Sequence, residues 1–344
     1  MNARTLLGAL ALIVIALLVW ELRWVLLVLF GAIVLAVSLD VPITLLRRFL
    51  PLQRPAALTL VVVVMLVIGG WVGLQLLPEL LEQIQQLVGL VPQLSARLSV
   101  LLRQQPALAN LEHELLAGNL LDRLQPLGTQ VLGVAGGAAS LTMQLLLMAL
   151  LAALLALDPR SHQRLLVAAT PSFYRPRMRL LLAECRQALG GWLAGMTVSA
   201  VTVFLSTWLG LHLLGVPLAL LSSLVCGLLT FVPTIGPTAA TLLPMAVASL
   251  MSPEKVLQVL ALRLVLQNAE AFILTPLLLS RTVNLLPTVS LMAQLSLGAL
   301  LGLPGLLLAL PLVVVLQVVG QEVLVHDIMD RWSPDPAAIA ALDE

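Results

Sequence analysis

The stretch Gln187-ALGGWLAGMTVSAVTVFLSTWLGLHLLGVPLALLSSLVCGLLTFVPTIGPTAATLLPMAVASLMS-Pro253 contains no Asp, Glu, Lys or Arg. A soluble domain cannot sustain such a run, because its surface needs charge at roughly 25% of positions. A bilayer removes that need and asks instead for apolar segments of about 20 residues. The run is long enough for about three of them. It shows no period-2 alternation, which excludes a transmembrane β-barrel.

Working outward, the rest of the 344-residue chain repeats the pattern. It is 60% hydrophobic and 10% charged, with net charge +1. Mean hydropathy is +1.07. Further apolar segments fall at 5–20, 24–39, 56–77 and 126–157, then at 256–280 and 283–321. The first follows the basic start Met-Asn-Ala-Arg and resembles a signal peptide. No small-x-small cleavage site follows it, so it reads as an uncleaved first span. The expectation is an all-α polytopic membrane protein of about eight transmembrane helices.

Charge placement supplies an orientation. Residues 158–186 hold Arg160, Arg164, Arg175, Arg177, Arg179 and Arg186 against Asp158 and Glu184. Residues 78–125 hold Glu79, Glu82, Glu112, Glu114 and Asp122 against Arg97, Arg103 and Arg123. The positive-inside rule puts the first stretch in the cytoplasm. Arg47, Arg48 and Arg54 then also fall inside, and both termini are cytoplasmic. Trp20, Trp24, Trp192 and Trp208 are expected at the two membrane interfaces. The expected organisation is spans one to three over 1–77, an extracytoplasmic segment over 78–125 and a fourth span over 126–157. A basic cytoplasmic linker follows over 158–186, then a region with interrupted helices over 187–321 and a tail over 322–344.

Within 78–125, Leu80, Leu81, Ile84, Leu87, Val88, Val91 and Leu94 recur at helical spacing between Glu79, Glu82, Gln83, Gln85 and Gln86. This spacing predicts an amphipathic helix rather than a span. A second helix is expected around Leu111 to Leu124. Either would rest on the membrane surface or against another subunit.

The functional classes narrow quickly. His113, His162, His212 and His326 are far apart and form no metal spacing. No Walker A loop is present. Cys185 and Cys226 are isolated, which suits a reduced thiol and a small core residue respectively. No basic run is interleaved with aromatics, so nucleic-acid binding has no support. No catalytic constellation, metal site or cofactor motif emerges, and an enzyme is not expected.

Three features point to a pathway instead. In Phe231-Val-Pro-Thr-Ile-Gly-Pro237, Pro233 and Pro237 each remove a backbone donor, and Thr234 and Gly236 lie between them. A break of this kind inside lipid must be buried in protein or line a watery cavity. The alternative is a tight surface turn between two spans. Leu301-Gly-Leu-Pro-Gly305, with Gly302 and Gly305, is a second puncture. Paired interrupted segments mark transporter binding sites, and the two are expected to meet at a shared cavity. Third, Arg263, Gln267 and Glu270 share one helix face with Asn268 beside it. Intramembrane charge is costly and normally faces a bundle interior. Arg263 and Glu270 are roughly 10 Å apart in rise and need not pair. The competing account has Arg263 snorkelling to an interface and Glu270 as a structural partner. For the Arg-rich stretch from Pro171 to Arg179, topology and anionic headgroup contact suffice.

These residues carry a resemblance. Pro171-Ser-Phe-Tyr-Arg, Gly190-Gly-Trp-Leu-Ala-Gly195, Leu214-Gly-Val-Pro217, Phe231 to Pro237, Gln267-Asn-Ala-Glu270 with Thr275-Pro276, and Gly298 through Gly302, Gly305 and Pro311 occur in the order seen in the AI-2E family, named for export of the quorum-sensing autoinducer-2. The N-terminal half matches by layout alone. The chain departs from the family at Gly195-Met196, where Gly-Gln is common, and at Pro304. The resemblance implies a bacterial inner-membrane permease of about eight spans, assembled as a homo-oligomer, a pentamer. Some family members look like autoinducer-2 exporters, others like sodium(lithium)/proton antiporters. The expected partners are a small polar solute, H+ or Na+, and the lipid bilayer. A non-transporting membrane scaffold is the rival from a different class.

Overall fold

The computed structural model describes residues 14, 17, 18, 20–103, 134–232, 235–274, 276 and 286–329. The first expected span, the helix expected at 111–124, Pro233, Thr234 and the end of the tail fall largely or wholly outside these. Among the described residues the chain is helical throughout, with no strand. In chain order α1 is Arg23–Phe49, α2 Arg54–Arg103, α3 Val134–Leu157, α4 Pro159–Ala168, α5 Arg175–Leu213, α6 Ala219–Leu229, α7 Ile235–Ser249, α8 Pro253–Ala269 and α9 Pro287–Val319. π-helical stretches continue α8 over Glu270–Leu274 and α9 over Gly320–Met329.

Five of these helical stretches are long and apolar enough to cross a membrane, or six if the bent pair α3–α4 counts as one. About eight are expected from the sequence; the first of these lies mostly outside the described residues, and another part of the count has a structural reason. The run from Gln187 to Pro253 yields one long helix and two short ones rather than three full spans. At 1.5 Å per residue α6 and α7 are about 16 and 22 Å long, short of a 30 Å hydrocarbon core. Broken helices in the C-terminal half are therefore present.

Proline did not divide α2. The helix runs 50 residues through Pro78 and Pro92, about 75 Å, more than twice the hydrocarbon thickness. The expected apolar span and amphipathic segment form one rod. Its apolar half keeps Leu66, Val67, Trp71 and Leu74 exposed at 69, 64, 65 and 79%. A surface of that kind suits lipid, not water. Its amphipathic half has partners within the chain: Leu87 and Leu90 pack on a core of Leu211, Val216, Leu218, Val247 and Val259. The expectation that this face awaits the membrane surface or another subunit is corrected to that extent.

The described chain divides into two compact units. The first gathers Met1–Leu58, Met148–Gly195 and Leu279–Glu344. In it α9 packs on α1, where Gly31 lies against Met148 and Leu308. Arg177 clamps the far end of α9. Its Nη2 donates to Glu322 Oε2 at 2.5 Å and its Nε to Asp327 Oδ1 at 3.1 Å, while the Tyr174 hydroxyl donates to Asp327 at 2.7 Å. The start of the expected tail is thus an ordered helical continuation. Trp192 is buried here, a packing residue rather than an interfacial anchor, whereas Trp20 and Trp24 are exposed. At the 85° bend between α3 and α4, Asp158 caps α4 through the Ser161 hydroxyl and N–H. Those two bonds hold its carboxyl below the usual range.

The second unit gathers Thr59–Leu147 and Met196–Leu278. In it α7 packs on α6 and on α8. The Leu214-Gly-Val-Pro217 motif is a helix stop. Gly215 at φ 64° donates to His212 O, and Val216 donates to Leu211 O, both at 3.0 Å. That is the Schellman pattern, which glycine serves at no steric cost. The single lysine, Lys255, donates to the neighbouring Leu214 carbonyl at 2.5 Å. Ser252 caps α8 by accepting from Lys255 N.

Candidate functional site

The broken helix in the second unit is the hairpin α6–α7. Its first arm ends in tightened turns, with Phe231 N donating to Leu228 O at 3.2 Å and Val232 N to Leu229 O at 2.9 Å. Gly236 then passes so close to Leu229 that an added Cβ would sit inside the Leu229 carbonyl. Pro244 has no N–H to give Ala240 O. The buried Cys226 thiol reaches that carbonyl instead, at 3.4 Å. The expected small core residue is therefore also a hydrogen-bond donor.

The start of α6 has no cap of its own. Leu218 stands there at φ 58° with no side-chain acceptor for the helix N–H groups. Gln83 of α2 supplies one, its Oε1 accepting from Leu221 N at 2.8 Å while its amide donates to Glu79 at 3.0 Å. Orphan donors at a helix start need a partner where water is absent. Gln83, read from sequence only as part of a polar face, provides it.

Arg263 lies near the middle of the span Pro253–Leu274 and is 2% exposed. Insertion measurements put such a residue at about 2.5–3.5 kcal/mol against membrane insertion. It does not snorkel. Nε donates to Thr241 Oγ1 at 3.2 Å, Nη1 to Thr207 Oγ1 at 3.1 Å and Nη2 to Pro237 O at 3.4 Å. The planar guanidinium spreads its donors over a rigid fork that reaches acceptors on separate elements, whereas the three donors of an ammonium all radiate from one nitrogen. One side chain of α8 thus ties α5 to the broken hairpin. The Thr241 hydroxyl itself donates to Pro237 O at 2.9 Å. Sequence reading singled out Arg263 and Pro237, and the structure brings them together.

Glu270 makes a separate node. Ser199 Oγ of α5 donates to its Oε1 at 2.7 Å. The carboxyl is half-buried and opens the π-helical turn Glu270–Leu274; single π turns recur at functional sites. Pairing of Thr207 with Arg263 and of Ser199 with Glu270 sets α5 and α8 antiparallel, with their polar positions facing. Arg263 and Glu270 do not pair with each other. Gln267, between them, is half-buried, while Asn268 is exposed and donates to its own helix at Leu264 O, 2.7 Å away. Thr207, Thr241 and Ser199 went unnoticed in the sequence because hydroxyl residues are scattered through apolar helices, where they usually bond their own backbone.

Gly302 and Gly305 belong to the first unit. Gly302 breaks α9 at φ 64°, ψ −149°, close to a region that only glycine populates readily. Past it the two arms close tightly: a Cβ on Gly305 would sit in the Leu297 carbonyl, and one on Gly298 would touch Leu306 at 3.6 Å. Gly302→Ala is expected to cost about 1–3 kcal/mol. An unfolding titration in detergent micelles checks it, and an unshifted midpoint contradicts the turn. On the first arm, Gln294 is fully buried and neither amide atom has a partner among the described residues. An unpaired buried amide costs about 1–3 kcal/mol. Gln294→Leu should therefore stabilise the folded state by a similar amount in the same titration; a loss of stability would mean that the amide is bonded.

Long apolar helices, half-length broken ones and a buried arginine at mid-span define an α-helical integral membrane protein with polar groups held inside it. A family model described as AI-2E family transporter matches residues 9–324, and the chain belongs to that family. It is a membrane transport protein. No curated protein matches it.

Proposed function

We propose that the chain is a secondary transporter that exports a small polar solute of the autoinducer-2 kind along the α5–α8 face of the second unit. The observation that carries this reading is Arg263, buried at mid-span and bonded to the carbonyl of a broken hairpin. In membrane proteins, interrupted helices with polar partners mark substrate sites. Pro233, Thr234, Gly236 and Pro237 would belong to the pathway, and Gln267, Asn268 and Glu270 would continue the polar face. A neutral, hydroxyl-rich solute suits amide and hydroxyl partners. Gly302 and Gly305 enter the proposal separately, as the turn of the broken helix in the first unit. The same reading takes the membrane as the bacterial inner membrane, the termini as cytoplasmic and the assembly as a homo-oligomer, a pentamer.

A second reading, sodium(lithium)/proton antiport, is favoured by one observation. Among the described residues Glu270 is a half-buried carboxyl whose hydrogen-bond partner is the neutral Ser199 hydroxyl, and antiport would use it as the cation-exchanging group. Glu270→Gln separates the two in proteoliposomes. Export predicts solute efflux within about threefold of wild type. Antiport predicts complete loss of sodium movement driven by a pH gradient. Absence of any flux from the wild-type protein would support the scaffold reading against both.

A further inference from the structure

We infer that the first unit holds one anionic phospholipid as a specific ligand, with an acyl chain in an apolar cavity and its phosphate on Arg186. The cavity has a volume of about 480 Å³, within the roughly 300–1,000 Å³ of small-ligand sites. Phe30 and Ile33 of α1, Leu182 and Leu189 of α5 and Val315 of α9 give it an apolar wall. Its polar lining is the cluster of Asp40, Arg54 and Arg186, with His162 and Gln163 of α4 beside it. Asp40 accepts from Arg54 Nη2 at 2.5 Å and from Arg186, and Arg54 Nε also donates to Ala156 O at 2.9 Å. Two guanidiniums against one carboxylate leave one positive charge. The Arg186 side chain is 40% exposed, and one of its five N–H donors meets Asp40, so others remain to meet a phosphate.

The surroundings favour a bilayer lipid as occupant. Helix α4 turns 85° from α3 and exposes Leu165 and Leu166, while Arg160 and Arg164 line a second pocket with Arg175 and Arg179. A short helix with one apolar and one basic face lies in the headgroup layer. Gln163 lines both the basic pocket and the apolar cavity, so the cavity adjoins a surface that concentrates anionic headgroups. A polar solute would leave the apolar wall unused, and a zwitterionic lipid would leave the surplus charge unmatched.

The test is native mass spectrometry of the full-length protein in detergent, titrated in parallel with phosphatidylglycerol and phosphatidylcholine. Retention of phosphatidylglycerol should exceed that of phosphatidylcholine by about fivefold, in line with one basic residue at an anionic surface. Arg186→Gln should abolish the preference, and Arg186→Lys should keep most of it. Arg54 still neutralises Asp40 in both variants, so the fold survives. Ile33→Trp, at an exposed cavity-wall position, should reduce retention of both lipids. The proposal is overturned by equal retention of the two lipids, or by a preference that Arg186→Gln leaves intact. It is equally overturned if Arg160→Gln with Arg164→Gln removes the preference while Ile33→Trp does not, since the anion would then sit in the basic pocket alone. Wild-type protein that carries no lipid and whose oligomer dissociates on Ile33→Trp would assign the cavity to a second copy and also overturn it.

Discussion

Arg263→Ala is expected to weaken the folded protein by at least about 3 kcal/mol, because it opens a cavity at the centre of the second unit besides removing three donors from it. Hydrogen bonds from charged donors contribute about 1.5–3 kcal/mol each, and the longest of the three, to Pro237 O at 3.4 Å, contributes least. The Thr241 hydroxyl keeps its own bond to Pro237 O, and Thr207 can turn to a backbone carbonyl, which limits the loss. The hairpin α6–α7 nevertheless loses its tie to α5 and α8. Arg263→Lys should recover less than half, since one compact ammonium cannot serve three acceptors spread around a planar group. Arg263→Met should recover most of the stability. Replacing a buried charge by an apolar residue of similar volume is often neutral or stabilising, because the desolvation cost disappears with the charge. Unfolding titrations in micelles check the series. If Met is as damaging as Ala, the hydrogen bonds outweigh desolvation and this ordering is wrong.

Asp40→Ala is the second large effect, at about 3 kcal/mol of destabilisation. The carboxylate is mostly buried and answers two arginines. Its removal leaves Arg54 and Arg186 facing each other, and an uncompensated buried charge costs about 3–5 kcal/mol. Arg186 is partly exposed and recovers some hydration, which puts the expected value at the low end. Adding Arg54→Gln to Asp40→Ala should restore at least half of the loss. The double-mutant cycle isolates the coupling, expected between about 0.5 and 3 kcal/mol. A strictly additive result would show that the pair is not a functional unit of the fold.

Much of this architecture is legible in the sequence, for a physical reason. Lipid imposes one strong rule, that backbone polar groups be satisfied within helices, so the uncharged run from Gln187 to Pro253 announces its solvent at once. The Arg263–Glu270 stripe is legible for a related reason: charge inside lipid is rare enough to be conspicuous. The partners of that stripe are not. Ser199, Thr207 and Thr241 look like any hydroxyl residue in an apolar helix, and only tertiary packing selects them. Gln83 is similar, since a cap delivered from α2 to α6 leaves no local trace. Helix breakers act here by context. α2 continues through Pro78 and Pro92, because prolines are tolerated in membrane helices where other groups re-satisfy the freed carbonyls; the change from apolar to amphipathic spacing near residue 78 marks a change of surroundings, not a break. Gly302 shows the complementary case, where a glycine at positive φ breaks α9 and the following Pro304 merely starts the next arm. Asp40 sat unnoticed at the edge of an apolar segment because neither of its partners is close in sequence.

If the α5–α8 face around Arg263 carries a polar solute, as proposed, flux through the reconstituted protein depends on that arginine. Autoinducer-2 efflux from proteoliposomes is measured for wild type and for Arg263→Met, after both are matched for folded amount. The expected result is measurable wild-type efflux and a drop of at least about tenfold in the variant, equivalent to about 1.4 kcal/mol at the rate-limiting step. Efflux from Arg263→Met at the wild-type rate would contradict it, because the buried arginine would then serve the fold alone.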